Sequence, residues 1–262
     1  MTEIAEFLYF IVCGAGVGII VGLTGVGGGS LMTPLLIFSG IPTKVAIGTD
    51  LLYAAATKSG ALYAHYRQQT VNWGIVARLC LGSIPASILT SALIKHYANQ
   101  NSDYSLHLEF ALGLMLVLTS LVVLFKSRIR KESSSTTSVS WFAQRSASIT
   151  VLAGVALGVF VTLSSVGAGA FCAALLLTLF PRMPAMNVVG TDIAHAVPLT
   201  LVAGLGHLWN NNIDWLLLLG LLVGSLPAVQ LGAKLSAKIP NIVLQRGLAL
   251  LLMGIGARFL LV

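Results

Sequence analysis

Not one charged side chain separates Arg145 from Arg182. Stretches of this kind recur along the chain. Apolar segments run over about 5–24, 30–41, 43–66, 73–95 and 108–126, then again over about 146–164, 170–181, 185–208, 213–237 and 242–262. Most match the roughly 20 apolar residues a helix needs to cross a bilayer, but the second segment of each series is too short. The chain is 56% hydrophobic and 9% charged, with mean hydropathy +0.92. A soluble domain carries about 25% charged residues, so a soluble fold is excluded and an all-α polytopic membrane protein is expected. The net charge of +7 does not indicate nucleic acid. Five of the fifteen basic residues (Lys126, Arg128, Arg130, Lys131 and Arg145) flank one loop, as topology signals do. Cys13, Cys80 and Cys172 lie alone in apolar stretches and read as small core residues. The acidic start, MTEIAEFLYF, lacks the basic region of a cleavable signal peptide.

The two series align. At an offset of 140, Gly14, Gly18, Val26, Gly27 and Gly29 match Gly154, Gly158, Val166, Gly167 and Gly169. After a two-residue shift near Phe180-Pro181, Pro42, Gly48-Thr49-Asp50, His65 and Trp73 match Pro184, Gly190-Thr191-Asp192, His207 and Trp215 at an offset of 142. GSIPA at 82–86 matches GSLPA at 224–228. Hydrophobic bias aligns Leu with Leu; it does not align Trp, His, Asp and Pro in register. The expected organisation is a first transmembrane repeat over 1–126, a basic, Ser-rich linker over 127–145, and a second repeat over 146–262.

The basic linker is expected in the cytoplasm. Five crossing segments per half make the repeats inverted and place both termini on the opposite, periplasmic face. If the short segments do not cross, four spans per half make the repeats parallel and bring linker and termini to one face. Inversion is the expectation, with the parallel arrangement as its alternative.

Between the first and second segments the sequence reads GLTGVGGGSLMTP, with five glycines within eight residues from Gly22 to Gly29. Glycine weakens a helix, and in hydrocarbon a broken helix needs its backbone groups satisfied by protein, water or ligand. Helix N-termini offer free N–H groups and partial positive charge, which favour anions. Paired short, Gly-interrupted segments are the best pointer in sequence to a transporter's substrate site. Gly25, Gly27, Gly28, Gly29 and Ser30 are therefore candidate anion contacts, with Gly167 and Gly169 their counterparts. Thr24, Ser164 and Ser165 add hydroxyls. Gly14, Gly18, Gly154 and Gly158 read instead as sites of close helix packing. A straight first helix starting at Phe7 reaches the far face by Gly25, at about 1.5 Å per residue, so a mid-membrane break calls for tilt or an earlier start.

Charges inside apolar segments are functional candidates. Asp50 lies about 12 Å along its helix from Pro42, near the centre of a core about 30 Å thick; Asp192 is its equivalent. Both are candidates for coupling a proton or cation, or for capping a local break. Tyr53 and His195 hold equivalent positions one turn on and line the same region. Lys58 lies deeper still, where its long stem can snorkel to the interface, and reads as an anchor more than a ligand. His65 and His207, at helix ends, read as structural. Pro85 and Pro227 are hinge or packing kinks.

GLTGVGGGSLMTPLL, the GTD that follows, the short segments and the basic central loop together resemble the TauE/SafE sulfite exporters, also called the 4-toluene sulfonate uptake permease family. The resemblance spans essentially the whole chain. The second glycine motif, SSVGAGAF, departs from the first: Ala168 stands where Gly28 does, and Ala174 where Pro34 does. The resemblance implies a secondary transporter of the bacterial inner membrane that moves, and by the family name exports, a small sulfur-containing or organic anion of the sulfite, sulfonate or sulfoacetate class. Its partners would be that anion, a proton or Na+ as coupling ion, and the lipid bilayer. No P-loop pattern is present, and no cofactor, metal or nucleic acid is expected. The rival readings are a passive anion channel, an intramembrane hydrolase using Ser164 or Ser165 with His195, though the sequence has no G-x-S-x-G elbow, and a membrane-embedded binding or assembly subunit without flux.

Overall fold

The computed structural model describes residues 3–24, 29–99, 104–133, 139–236 and 241–261. Among them the chain forms ten helices and no strand. The first five are α1 (Glu3–Thr24), α2 (Gly29–Phe38), α3 (Thr43–Arg67), α4 (Trp73–Asn99) and α5 (Ser105–Ser133). The second five are α6 (Val139–Ser164), α7 (Ala170–Leu179), α8 (Ala185–Trp209), α9 (Trp215–Ser236) and α10 (Asn241–Leu261). Every apolar segment read from the sequence is a helix. Both short segments, α2 and α7, have ten residues. Among the described residues, seven helices are long and apolar enough to cross a membrane. α3 has the length, at 25 residues, but carries Lys44, Asp50, Lys58 and Arg67 along it. α5 and α6 run on into the polar segment between the halves, whose residues 134–138 lie outside the described residues.

Small residues set how the helices pair. Gly14 of α1 sits against the Leu221 backbone of α9, where an added methyl would stand 2.6 Å from the Leu221 carbonyl oxygen. Gly18 sits against Ser225, with the corresponding gap 2.8 Å. Gly224 and Gly232 return the contact to Ile11 and Ile19. Positions rise together on both helices, so α1 and α9 run parallel. The same holds for α6 on α4: Gly154 meets Leu79, Gly158 meets Ser83, and Gly82 meets Val151 and Val155. Backbones approaching this closely gain packing where hydrocarbon offers no hydrophobic drive. The packing reading of Gly14, Gly18, Gly154 and Gly158 agrees with this geometry.

Two other pairs run antiparallel. Gly48, near the start of α3, meets His207 and Asn212 at the end of α8. Gly190, near the start of α8, meets His65 and Thr70 at the end of α3. Between α5 and α10, Gly113 meets Gly256 and Phe259, while Ser120 donates to the Ala249 carbonyl at 2.9 Å. Contacts recur at the sequence offset of 142. The Asp214 amide donates to Thr49 Oγ1 at 3.1 Å, and the Asn72 amide to Thr191 Oγ1 at 3.0 Å. His65 and His207 serve these junctions. His65 Nδ1 lies 2.7 Å from Thr70 Oγ1, and His207 Nε2 lies 2.9 Å from the Thr162 carbonyl.

α2 folds back along α1, because the Tyr9 hydroxyl donates to Ser39 Oγ at 2.8 Å. Ten residues cover about 15 Å. The start of α2 at Gly29 therefore lies about 15 Å inward from the Tyr9–Ser39 level, roughly half of a 30 Å core. The early start of α1, at Glu3, and this return resolve the depth problem posed by a straight first helix. Pro85 and Pro227 lie inside continuous α4 and α9. Each stands in the GSxPA segment that makes the tightest interhelical contacts.

The core falls in two clusters. One gathers Met32, Leu36, Tyr53, Leu112, Leu217 and Leu221; the other gathers Leu79, Leu157, Val161, Cys172, Leu176 and Leu199. Leu8, Val12, Leu89, Leu152, Leu219 and Leu250 point outward, as a lipid-facing surface requires. Gly82→Val and Gly224→Val should each lower the melting temperature in detergent, through overpacking worth about 1–3 kcal/mol. Gly247→Ala, with open space around it, should leave the melting temperature unchanged or raised.

Candidate functional site

The second break is built around two left-handed residues. Ser165 has φ +58° and Gly167 φ +118°. A side chain at Gly167 would press on Met115 as well as strain the backbone. Ser164 holds the turn. Its Oγ donates to the Phe160 carbonyl at 2.7 Å and accepts from the Val166 amide at 3.1 Å. Gly169 precedes α7; its amide donates to the Gly167 carbonyl at 2.9 Å, and its own carbonyl receives the Ala173 amide at 2.8 Å. The Ser164 hydroxyl and the Gly169 amide are thus engaged in the frame of the break. The Ser165 hydroxyl is not: it is buried without a hydrogen-bond partner among the described residues.

In the first half, Gly25, Gly27 and Gly28 lie outside the described residues. Thr24 closes α1 and Gly29 opens α2. Ser30, in the first turn of α2, is buried, and its hydroxyl has no partner among the described residues.

Asp50 lies where the halves meet. It is fully buried, and its Oδ2 accepts from Thr33 Oγ1 of α2 at 2.6 Å. Its Oδ1 has no hydrogen-bond partner among the described residues. Ser165, from the second break, approaches the carboxyl without closing a hydrogen bond. The carboxyl thus touches the short helix of one half and the break of the other.

Lys58 corrects the sequence reading. Its stem does not snorkel outward. The Nζ donates to the carbonyl of Ala168, inside the second break. Both Asp50 and Asp192 attract the ammonium there, and Cys172 lies close to it. A charge inside a membrane segment is costly unless it is paired, so the two carboxylates and the carbonyl are what hold a lysine at this depth.

Asp192, on α8, carries the track onward. One turn later His195, fully buried, places Nε2 2.9 Å from Ser83 Oγ of α4. Its Nδ1 lies 3.9 Å from the Cys172 sulfur on α7. Tyr53 occupies the matching place on α3 and approaches Ser225 of α9. Ser83 and Ser225 are 142 residues apart, as are Tyr53 and His195. All three cysteines are free. Among the described residues no group of three or more His, Cys, Asp or Glu side chains is arranged to hold a metal ion.

Sequence reasoning named Asp50, Tyr53, Ser165, Asp192 and His195, and the structure joins them in one polar track. Thr33 and Ser83 escaped it, and Lys58 was read as an anchor more than a ligand. Ser83 carried a signal, since it stands in the duplicated GSxPA. Thr33 carried none, because its counterpart is Ala173; Lys58 carried its charge inside an apolar segment, but nothing that set the direction of its stem.

A helical bundle with paired short helices and buried charges at a break has the build of a multi-pass membrane transport protein. Comparison with known proteins agrees: the profile described as "Sulfite exporter TauE/SafE" matches residues 10–259, and the chain belongs to that family of membrane transporters. It is 36% identical over 228 residues to "Probable membrane transporter protein YjnA" of Bacillus subtilis, covering 87% of this chain and 89% of that one. It is 27% identical over 241 residues to "Probable membrane transporter protein YdhB" of the same organism, covering 89% and 91%. A further "Probable membrane transporter protein", MJ0441 of Methanocaldococcus jannaschii, is 25% identical over 245 residues, covering 87% and 86%. No solved structure gives a significant match.

Removing the donor to Asp50 should be costly. Thr33→Val should destabilise the protein by about 1–3 kcal/mol by leaving a buried carboxyl oxygen unpaired, while Thr33→Ser keeps most of that stability. Melting curves of the two variants in detergent check this.

Proposed function

We propose that the protein is a secondary transporter that carries a small anion of the sulfite, sulfonate or sulfoacetate class across the bacterial inner membrane by alternating access. The observation that carries the reading is the meeting of both halves at the second break. Thr33, Asp50 and Lys58 come from the first half; Ser165, Ala168, Asp192 and His195 come from the second. Rocking the halves remakes this meeting point and alternates its access. Ser30 and Ser165 offer buried hydroxyls without a partner among the described residues, and the sequence offers the amides of Gly25, Gly27, Gly28 and Gly29 as further donors at the first break. Gly167 shapes the second break, and Ser164 and Gly169 frame it. Asp50 and Asp192 couple transport to a proton or Na+, with Tyr53 and His195 beside them.

The halves are read as inverted repeats. The antiparallel pairing of α3 with α8, and of α5 with α10, is what inversion requires; four spans per half would make both pairs parallel. The return of α2 to the level of Tyr9 supports the same parity, because three full crossings then separate the N-terminus from the linker. Segment 127–145 is assigned to the cytoplasm by its basic residues, and both termini to the periplasm. The hydrolase reading loses its support, since His195 bonds Ser83 rather than Ser164 or Ser165.

Proteoliposomes loaded with labelled sulfite should show efflux that responds to an imposed pH or Na+ gradient and counterflow against unlabelled substrate. Passive, gradient-blind flux without counterflow is the outcome for a channel. Asp50→Asn and Asp192→Asn should each lose that gradient dependence; unchanged dependence in both would leave the aspartates as structural groups. Tags at both termini should react with an impermeant reagent in intact cells, and a tag at residues 134–138 should not.

A further inference from the structure

We propose that Lys58 is the positive charge that binds the transported anion, and that the anion binds only when Asp50 or Asp192 takes up a proton. This rests on the transporter reading and assigns that site its recognition chemistry. The Lys58 ammonium reaches into the second break, where its hydrogen-bond acceptor is the neutral carbonyl of Ala168. That bond has an ionised donor but a neutral acceptor; an oxyanion adds a full opposite charge, whose attraction for the ammonium is strengthened away from bulk water, and so displaces that carbonyl. The Ser165 hydroxyl is buried beside the same break with no partner among the described residues. It is a second donor ready for the ligand.

The charges at the site set the proton requirement. The titratable groups facing the ammonium are Asp50 on its own helix, Asp192 and His195 on α8, and Cys172 on α7; Tyr53 lies against Asp50. With both carboxylates ionised and the other groups neutral, the site sums to −1 and repels an anion. One proton brings the sum to zero, leaving the ammonium free to pair with the ligand. The proton comes from solvent onto a carboxylate and returns to solvent when the anion leaves, so proton and anion move together. Only one half supplies the cation. The position matching Lys58 is Thr200, whose hydroxyl donates to the Ala196 carbonyl at 2.8 Å. One anion per chain is the consequence.

The test is calorimetric titration of the purified full-length protein with methanesulfonate, a permanent monoanion, so that any proton consumed is taken by the protein. Running it in two buffers of different ionisation heat counts the protons. About one proton should be taken up per anion bound, and affinity should fall as pH rises. Lys58→Met should bind about 10- to 100-fold more weakly, and Lys58→Arg should recover much of that loss. The double variant Asp50→Asn with Asp192→Asn should bind without proton uptake. Wild-type affinity in Lys58→Met overturns the proposal while the transporter reading stands. So does zero proton uptake in the wild-type protein, a result that needs no variant to fold. If the wild-type protein binds none of methanesulfonate, sulfite and sulfoacetate, the sulfur-anion reading itself falls, and the role of Lys58 falls with it.

Discussion

The close backbone contacts of α1 on α9 and of α4 on α6 are what the rest of this structure depends on. Each joins a helix of the first half to a helix of the second, through glycines whose missing side chains let carbonyls and Cα atoms touch. In hydrocarbon, burying apolar surface gives no drive for two helices to associate, so close packing must supply it. Because partners come from opposite halves, neither half makes these contacts alone. The polar track inherits that dependence. Ser83 reaches His195 only because α4 lies beside α6 and α8. Tyr53 nears Ser225 only because α9 lies beside α1 and α3.

The second constraint is the satisfaction of broken backbone. A break in the bilayer exposes carbonyl and amide groups that lipid cannot solvate. The described break answers locally first, through the Ser164 hydroxyl and the carbonyls of Gly167 and Gly169. What remains is answered from across the molecule by the Lys58 amine at Ala168. This contact satisfies a carbonyl and brings a cation to the place where the chain leaves helical geometry. Structural need and ligand chemistry thus fall on one group.

The matched junctions and the unmatched site are informative together. Thr49 and Thr191 accept equivalent loop amides, and the glycines of GSxPA make equivalent contacts. Divergence is concentrated around the carboxyls, where Tyr53 faces His195, Thr33 faces Ala173 and Lys58 faces Thr200 across the alignment. The frame is held alike in both halves while the chemistry differs. A single lysine between two aspartates makes the interior electrostatically lopsided, although the contacts around it recur at the same sequence offset.

Much of this was written in the sequence. Apolar length fixed the ten helices. The glycine runs marked where α2 and α7 begin, because glycine is the residue a helix tolerates least short of proline. The offsets of 140 and 142 exposed the internal match, since Trp, His, Asp and Pro do not align through hydrophobic bias. Asp50 and Asp192 were visible as charges too deep for a short side chain to escape. The direction of Lys58 was not visible. A lysine at its depth can send its four-carbon stem outward to water or inward to a counter-charge, and sequence distance cannot choose between them. That choice needed Asp192 of α8 and Ala168 of the second break, more than a hundred residues away in sequence, to be brought beside α3 by the packing of the second half against it. Helix identity is a local property of the chain; the meeting of charges from two halves is a property of the pairing, and only the tertiary structure decides it.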